Sequence, residues 1–245
     1  VCPNLVAHDR QPEPGAGARI ARTTFRRNYG NYYGGALYLY RAEELAIEDC
    51  TFEENGGPLP GHGPRGGAIA SHSNQPSVTR CTFRNNRGRN GGAIHGQWGT
   101  HGGGVLAEDC TFEGNLATQL GNISWCDPSY TYDSGSGGAI YAKEHPVVIR
   151  NSTFIGNEAV MGGTSDCHGH PELNYNFGVG GAVMVNTASL DVTGSTFTDN
   201  RAEGPSQYGG DGGAIAVIAA PARVSNCVFT GNEANHVGIY IGDEG

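Results

Sequence analysis

The sequence has one lysine, Lys143, and its 15 basic residues are outnumbered by 24 acidic ones, which leaves a formal net charge of −9. Such a surface opposes binding to phosphate backbones or anionic lipid, both of which need clustered Lys and Arg, so nucleic acid is not an expected partner. No run approaches the roughly 18 apolar residues that cross a bilayer, and no membrane insertion is expected. No signal peptide is readable, and Val1 in place of methionine suggests a processed or excised segment. Walker loops, Gly-x-Ser-x-Gly elbows and His-Glu-x-x-His pairs are all missing, which removes the readiest nucleotide, serine-hydrolase and zinc-protease readings.

Glycine, by contrast, is abundant at 41 residues, and the chain repeats itself. Phe-x-x-Asn occurs seven times, at Phe25/Asn28, Phe52/Asn55, Phe83/Asn86, Phe112/Asn115, Phe154/Asn157, Phe197/Asn200 and Phe229/Asn232. Six copies are followed by Gly-Gly-Ala and an aliphatic residue, ending at Leu37, Ile69, Ile94, Ile140, Val183 and Ile215, while the seventh keeps Gly238-Ile239. The periods are 27, 31, 29, 42, 43 and 32 residues, so two turns carry insertions.

Small or apolar residues recur seven, five and two positions before each Phe, as in Leu45, Ile47, Cys50 and Val147, Ile149, Ser152. A spacing of two marks a strand with one buried face, and the step of three marks a corner. After Gly-Gly-Ala the alternation resumes, with Leu37/Leu39, Val183/Val185, Ile215/Val217 and Ile239/Ile241 facing in. The charges test whether turns stack in register. Three positions before Phe stand Arg22, Asp49, Arg80 and Asp109, and one position after it Arg26, Glu53, Arg84 and Glu113. Both columns alternate in sign, as pairing between parallel strands about 4.8 Å apart requires. Phe then forms an aromatic ladder from Phe25 to Phe229. Asn, in all seven copies from Asn28 to Asn232, tolerates a left-handed corner and bonds to its copies along the axis. The expected fold is all-β, a single-stranded right-handed parallel β-helix of about seven turns and about three strands per turn. It spans residues 1–245 as one domain, with insertions at 116–136 and 158–179.

The pairing of Phe-x-x-Asn with Gly-Gly-Ala-Ile/Leu/Val resembles the repeats of the chlamydial polymorphic outer membrane proteins, autotransporter adhesins with β-helical passengers. The resemblance runs from about Phe25 to Ile241. It implies surface display and adhesion, though the β-barrel of such autotransporters is not within this sequence.

Several constellations carry candidate chemistry. Cys50, Cys81 and Cys110 share the position two before Phe, where Ser152 and Ser195 stand later, so a ladder of buried thiols or a bridge between two of them both fit. The insertions hold Trp125, Tyr130, Tyr132, Tyr175 and Phe177. Leaving the turn at the same point, they should project side by side, either to contact a glycan or protein or to pack on each other. Cys126 and Cys167, the only cysteines of the insertions, are expected to form a disulfide, with zinc held together with His168 and His170 as the alternative. Asn122 and Asn151 head glycosylation sequons. The outward column Thr24, Thr51, Thr82, Thr111, Thr153 and Thr196 is interrupted by charge two positions on, which spoils it as an ice-binding face. Asp49 and Asp109 lie between arginines and Asp211 stands alone, so neither catalytic residues nor a cofactor are expected. The chain reads as an extracellular or cell-surface structural or adhesive module. Two alternatives stay open: a subunit polymerised end to end, since no cap is readable before Gly17 or after Ile241, and a glycan-active β-helix enzyme. Expected partners are a second copy or an adjoining β-helix segment, and a host or cell-surface glycan or protein.

Overall fold

The structure is a computed structural model that describes residues 5–7, 18–40, 45–57, 64–72, 76–97, 104–119, 135–161, 178–204, 210–235 and 238–242. Successive turns lay strand on strand, building four parallel sheets. The entry sheet has seven strands, from Arg19–Ala21 to Ala222–Ser225, and the Phe sheet seven, from Thr24–Arg26 to Val228–Thr230. A short third sheet has five, from Arg87–Gly88 to Glu233–Ala234, and the glycine sheet, which follows the paired glycines, has eight, from Leu5–Ala7 to Ile239–Gly242. The chain is a parallel β-helix.

Register is set by identity between turns. Each motif Phe lies opposite the Phe of its neighbouring turns. The seven rings stack with centroids 4.7–4.8 Å apart and within 7° of parallel. That spacing is one strand separation, so the backbone repeat itself sets the stack. Phe52, Phe83, Phe112, Phe154 and Phe197 are fully buried, whereas Phe25 and Phe229 are partly covered.

The Asn ladder satisfies itself in its interior. The side-chain nitrogen of Asn86 donates to Asn115 Oδ1 at 3.0 Å and to the Phe52 carbonyl at 2.9 Å, while its backbone N–H donates to the same Oδ1 at 3.1 Å. The pattern recurs at Asn55, Asn115, Asn157 and Asn200. Both amide protons are used and each Oδ1 accepts twice, which allows a polar column inside the stack.

Asn28 and Asn232, the first and last of the seven, bond to their neighbouring copies as well. Both are half-buried, where the five motif Asn between them are buried. Asn28 donates its backbone N–H and its amide to Asn55 Oδ1 at 3.1 and 2.8 Å, but no earlier motif Asn stands before it to donate to its own oxygen. Asn232 accepts from Asn200 and donates its amide to the Phe197 carbonyl at 2.9 Å, but no motif Asn follows it to accept a second proton. These two rungs are less covered than the five between them, as Phe25 and Phe229 are beside them.

A third column lies two positions before Phe. The Cys81 thiol donates to its own Thr79 carbonyl at 3.3 Å and accepts the Cys50 N–H at 3.3 Å; Ser152 does the same with Arg150 at 2.8 Å and Cys110 at 3.1 Å. Cys50, Cys81, Cys110 and Cys227 are free thiols. Burial raises the Cys50 thiol above its ordinary value, and the hydrogen-bonded Cys110, with burial, raises that of Cys81.

Four further details differ from the expectation. From the Phe83 turn onward each turn has four strands, because the alternation continues past Asn: Ala117, Ala159 and Ala202 turn inward and are buried. The expected insertions 116–136 and 158–179 are therefore shorter, since Leu116–Gln119 and Glu158–Met161 are strands, and Ser136 and Val179 lie buried before the paired glycines. Leu5–Ala7, unassigned from sequence, pairs with Leu37–Leu39. Finally, the left-handed corners fall on no motif Asn, from Asn28 to Asn232. They fall just before it and on the third residue before Phe, for example Asn85 (φ 52°) and Arg80 (φ 51°). Motif Asn keeps ordinary backbone because its own N–H must reach the next Oδ1.

The paired glycines have separate reasons. Gly91 has φ 63°, a region that side chains disfavour. A Cβ on Gly92 would collide with the Gly138 carbonyl of the next turn.

Candidate functional site

Inward columns repeat and so cannot discriminate a ligand; outward faces are free to vary. On the Phe sheet the outward residues are mostly threonines and, in the first four turns, the alternating charges, with Ile155 and Val228 further on. Arg84 meets Glu113 at 2.9 Å and Arg26 meets Glu53 at 3.3 Å, while at the adjacent corner Arg80 meets Asp49 at 2.7 Å. The hydrogen bond from Arg80 holds the Asp49 carboxyl below the usual carboxylate range, so this acid is engaged in an ion pair between turns.

The outer face of the glycine sheet is different. Inward Leu37, Ile69, Ile94, Ile140, Val183 and Ile215 are all aliphatic, but the residues beside them facing out read Tyr38, Ala70, His95, Tyr141, Met184 and Ala216. Two positions further along the strands stand Tyr40, His72, Gln97, Lys143, Asn186 and Ile218. The residue before each glycine pair flanks the same face, and here Tyr33 bridges Arg65. The late turns make an apolar cluster of Tyr141, Val179, Met184, Ala216 and Ile218, separate from the core.

The early turns gather polar and aromatic groups instead. Tyr33 stacks on Tyr38 with centroids 4.7 Å apart and meets His72 edge-on at 5.6 Å. The Tyr38 hydroxyl lies 3.2 Å from His72 Nδ1. Burial, then the neighbouring Tyr33 and Tyr40, push the Tyr38 hydroxyl up to about 12. Arg65 donates to Gln97 Oε1 at 2.6 Å, and the same oxygen lies 3.0 Å from His95 Nε2. Since an amide oxygen only accepts, Nε2 carries the ring proton and Nδ1 the lone pair. That Nδ1 is buried and has no hydrogen-bond partner among the described residues. The ring stacks on Tyr141 at 5.2 Å. Burial, then the charge of Arg65, lowers His95 to about 3, and burial likewise lowers His72. Both imidazoles are therefore neutral near pH 7.

His145 does not belong to this cluster. It is fully buried at a corner where later turns place Ala188 and Ala220 against the core. A Cβ on Gly96 would lie 3.9 Å from the His145 Cβ, so the two positions pack side by side. Neither ring nitrogen has a partner among the described residues.

Two family models match the chain. One, described as a right-handed β-helix region, covers residues 13–127; the other, the Chlamydia polymorphic membrane protein repeat, covers residues 194–217. The repeats are of the polymorphic membrane protein type, in a right-handed β-helix. No curated protein and no solved structure matches significantly.

The polymorphic-membrane-protein repeat places its motif residues in the interior, so the varying outward positions are where individual character lies. Of the residues singled out from sequence, Asn151 is exposed at a left-handed corner with φ 47°. Asn122, Trp125, Cys126, Tyr130, Tyr132, Cys167, His168, His170, Tyr175 and Phe177 lie outside the described residues. The Tyr33–Arg65–His95 cluster was not anticipated. One signal pointed to it: five of 11 tyrosines fall between positions 29 and 40.

Proposed function

We propose that this chain is an extracellular or surface-displayed, non-catalytic recognition module, adhesive or scaffolding, whose contact surface is the outer face of the glycine sheet in its early turns. The observation that carries this is the chemistry of one outward face: the stack repeats Phe, Asn and Cys/Ser inside, while the early turns of this face bring Tyr, His, Arg and Gln into contact with one another. Exposed aromatics beside polar groups are the usual chemistry of recognition surfaces. Tyr29 and Tyr32 are 62% and 75% exposed in the loop that also carries Tyr33. The repeat's likeness to chlamydial membrane proteins supports display at a surface. The test is adhesion of the purified chain to cells and extracellular matrix. The double substitution Tyr29→Ser, Tyr32→Ser should abolish it, and Glu113→Gln on the Phe sheet should leave it intact. Equal adhesion by both variants overturns the proposal.

A second reading has its own observation. In the last described turn Ile239 and Ile241 are 43% and 57% exposed, where their counterparts from Leu37 and Leu39 to Ile215 and Val217 are buried. An uncovered stack end favours further β-structure, from a second copy or from an adjoining segment. Sedimentation across a concentration series tests it: growing filaments support self-association, and a monomer throughout overturns it.

A further inference from the structure

We infer that Asn151 is a site of N-linked glycosylation, modified while the chain is being made and before the Phe197 turn docks on the Phe154 turn. This rests on the extracellular reading above and adds a covalent modification to it.

Position comes first. The sequence has two Asn-x-Ser/Thr sequons, at Asn122 and Asn151, and none of the seven ladder asparagines heads one. A ladder Asn is followed two residues on by Gly or Ala, as at Ala117, Ala159 and Ala202, because that residue must turn inward. Asn151 stands instead at the corner between the entry and Phe sheets, exposed and with φ 47°, a conformation that Asn tolerates. Its side-chain amide has no hydrogen-bond partner among the described residues, so a sugar on that nitrogen would break no bond of the stack.

The corner column supplies the room. Along the stack it runs through Arg22, Asp49, Arg80 and Asp109 in alternating sign, and the alternation stops at Asn151, where a basic residue would come next. The following rung is Gly194, the one glycine of the column. A Cβ there would lie 2.7 Å from Asn151 Oδ1, so the amide leans over a corner that carries no side chain. The Phe sheet changes beside it. One position after Phe, the first four turns carry Arg or Glu, and the next two carry Ile155 and Thr198. A bulky, polar glycan on Asn151 therefore displaces no ion pair of the charge columns and stays off the outer face of the glycine sheet.

The fold then sets the order of events. Transfer joins the Asn151 amide nitrogen to the anomeric carbon of an oligosaccharide carried on a lipid diphosphate. The bond from that carbon to the diphosphate oxygen breaks, the diphosphate leaves with the electron pair, and the amide gives up one proton. The transferase must hold the whole tripeptide, the Thr153 hydroxyl included. In the stack that tripeptide is tied on both sides: the Asn151 N–H donates to the Thr193 carbonyl at 3.0 Å, the Ser152 N–H to Ser195 Oγ at 3.1 Å and the Thr153 N–H to the Cys110 carbonyl at 2.9 Å. Thr193 and Ser195 belong to the Phe197 turn, made 43 residues after the Phe154 turn. At about 5–20 residues per second this leaves a few seconds in which the sequon is out and its cover is not yet made.

The experiment directs the full chain into the secretory pathway of eukaryotic cells with an added signal peptide, then removes N-glycans with a peptide-N-glycosidase in heavy-oxygen water and maps the peptides by mass spectrometry. Most secreted copies should carry the label at residue 151. Thr153→Val, which keeps a β-branched strand residue, should abolish it, and Thr153→Ser should retain it. Asn151→Gln made in bacteria should unfold at the same denaturant concentration as the wild-type chain made there, which separates loss of the glycan from loss of the fold. Wild-type chain purified in folded form from bacteria, then given the transferase and its lipid-linked donor, should stay unmodified, while chain translated in the presence of microsomes is modified. A folded, secreted chain with Asn151 empty or with label at Asn122 alone overturns the site, and equal modification of the prefolded chain overturns the order. Because the added signal peptide supplies entry, an empty Asn151 counts against the site and leaves the reading of surface display standing.

Discussion

Ile94 and His95 are consecutive in one strand, and their side chains obey different rules. Ile94 faces the core, where its neighbours above and below are Ile69 and Ile140; His95 faces out, between Ala70 and Tyr141. Inside the stack each residue touches its own copies one strand spacing away, so a change in size or polarity disturbs three turns at once. Outside, a residue needs only to suit its local neighbours. The inner columns are thus uniform by packing, and variation collects on outer faces such as that of the glycine sheet.

The comparison predicts that the largest losses come from interrupting an inner ladder. Phe112→Ala removes a fully buried ring stacked at 4.8 and 4.7 Å on its two neighbours and should cost about 3–5 kcal/mol in denaturant unfolding. Asn115→Ala strands the Asn86 N–H, the Asn86 amide and the Phe83 carbonyl, and at about 1–3 kcal/mol per unsatisfied group it should cost at least as much. Losses under about 1 kcal/mol at both sites would mean that the columns are not the source of uniformity.

On the outer face the sharper probe is pH. His95 ionises near 3 in the fold and near 6.5 in an unfolded chain, so between these values the unfolded state binds more protons. The stability associated with neutral His95 is complete above about 6.5 and declines as pH falls toward 3. Arg65, His72 and His145 act on the imidazole in the same direction. His95→Gln should flatten that limb of the stability–pH curve; an unchanged limb would place the titration elsewhere.

The thiol column offers a finer comparison. Cys81→Ser keeps the donor to the Thr79 carbonyl and the acceptor for the Cys50 N–H, as Ser152 and Ser195 do one and two turns past Cys110, and should cost under about 1 kcal/mol. Cys81→Val keeps the bulk, loses both bonds and should cost about 1–3 kcal/mol. Equal effects would mean that the column is about size alone.

How much of this was legible in the sequence follows the same division. The Phe and Asn columns and the charge alternation could be read because each turn restates them. What the motif could not reveal is that its end copies, Asn28 and Asn232, are only half-covered, because coverage depends on the neighbouring turn and not on the residue. The fourth sheet was hidden because its inward residue, Ala117, Ala159 or Ala202, is small and its strand only two to four residues long. The left-handed corners were assigned to Asn by propensity, but the ladder hydrogen bonds require ordinary backbone there and move the strain to Arg80 or Asn85. The Tyr33–Arg65–His95 cluster comes from three turns whose outward residues share no pattern, and only the register brings them together.

The smallest effect should come from the charge columns, repeated like the ladders but exposed like the outer face. Arg80 meets Asp49 at 2.7 Å and Glu48 at 3.5 Å with its side chain half exposed. Arg80→Glu places an acid between Asp49 and Asp109, so the attraction becomes repulsion on both sides. The change should lower the unfolding midpoint slightly in dilute buffer. It should fade in about 1 M sodium chloride, where the screening length falls to about 3 Å. Acid should remove the wild-type advantage as well: Asp49 has a depressed carboxyl in the fold, so the pair's contribution is present above the unfolded value near 3.9 and is lost as pH falls through the lower folded one. The Phe112→Ala deficit has no charge to screen and should persist under both conditions. A salt-independent loss at Arg80 would show that its aliphatic stem packs on the corner and that this column belongs with the ladders.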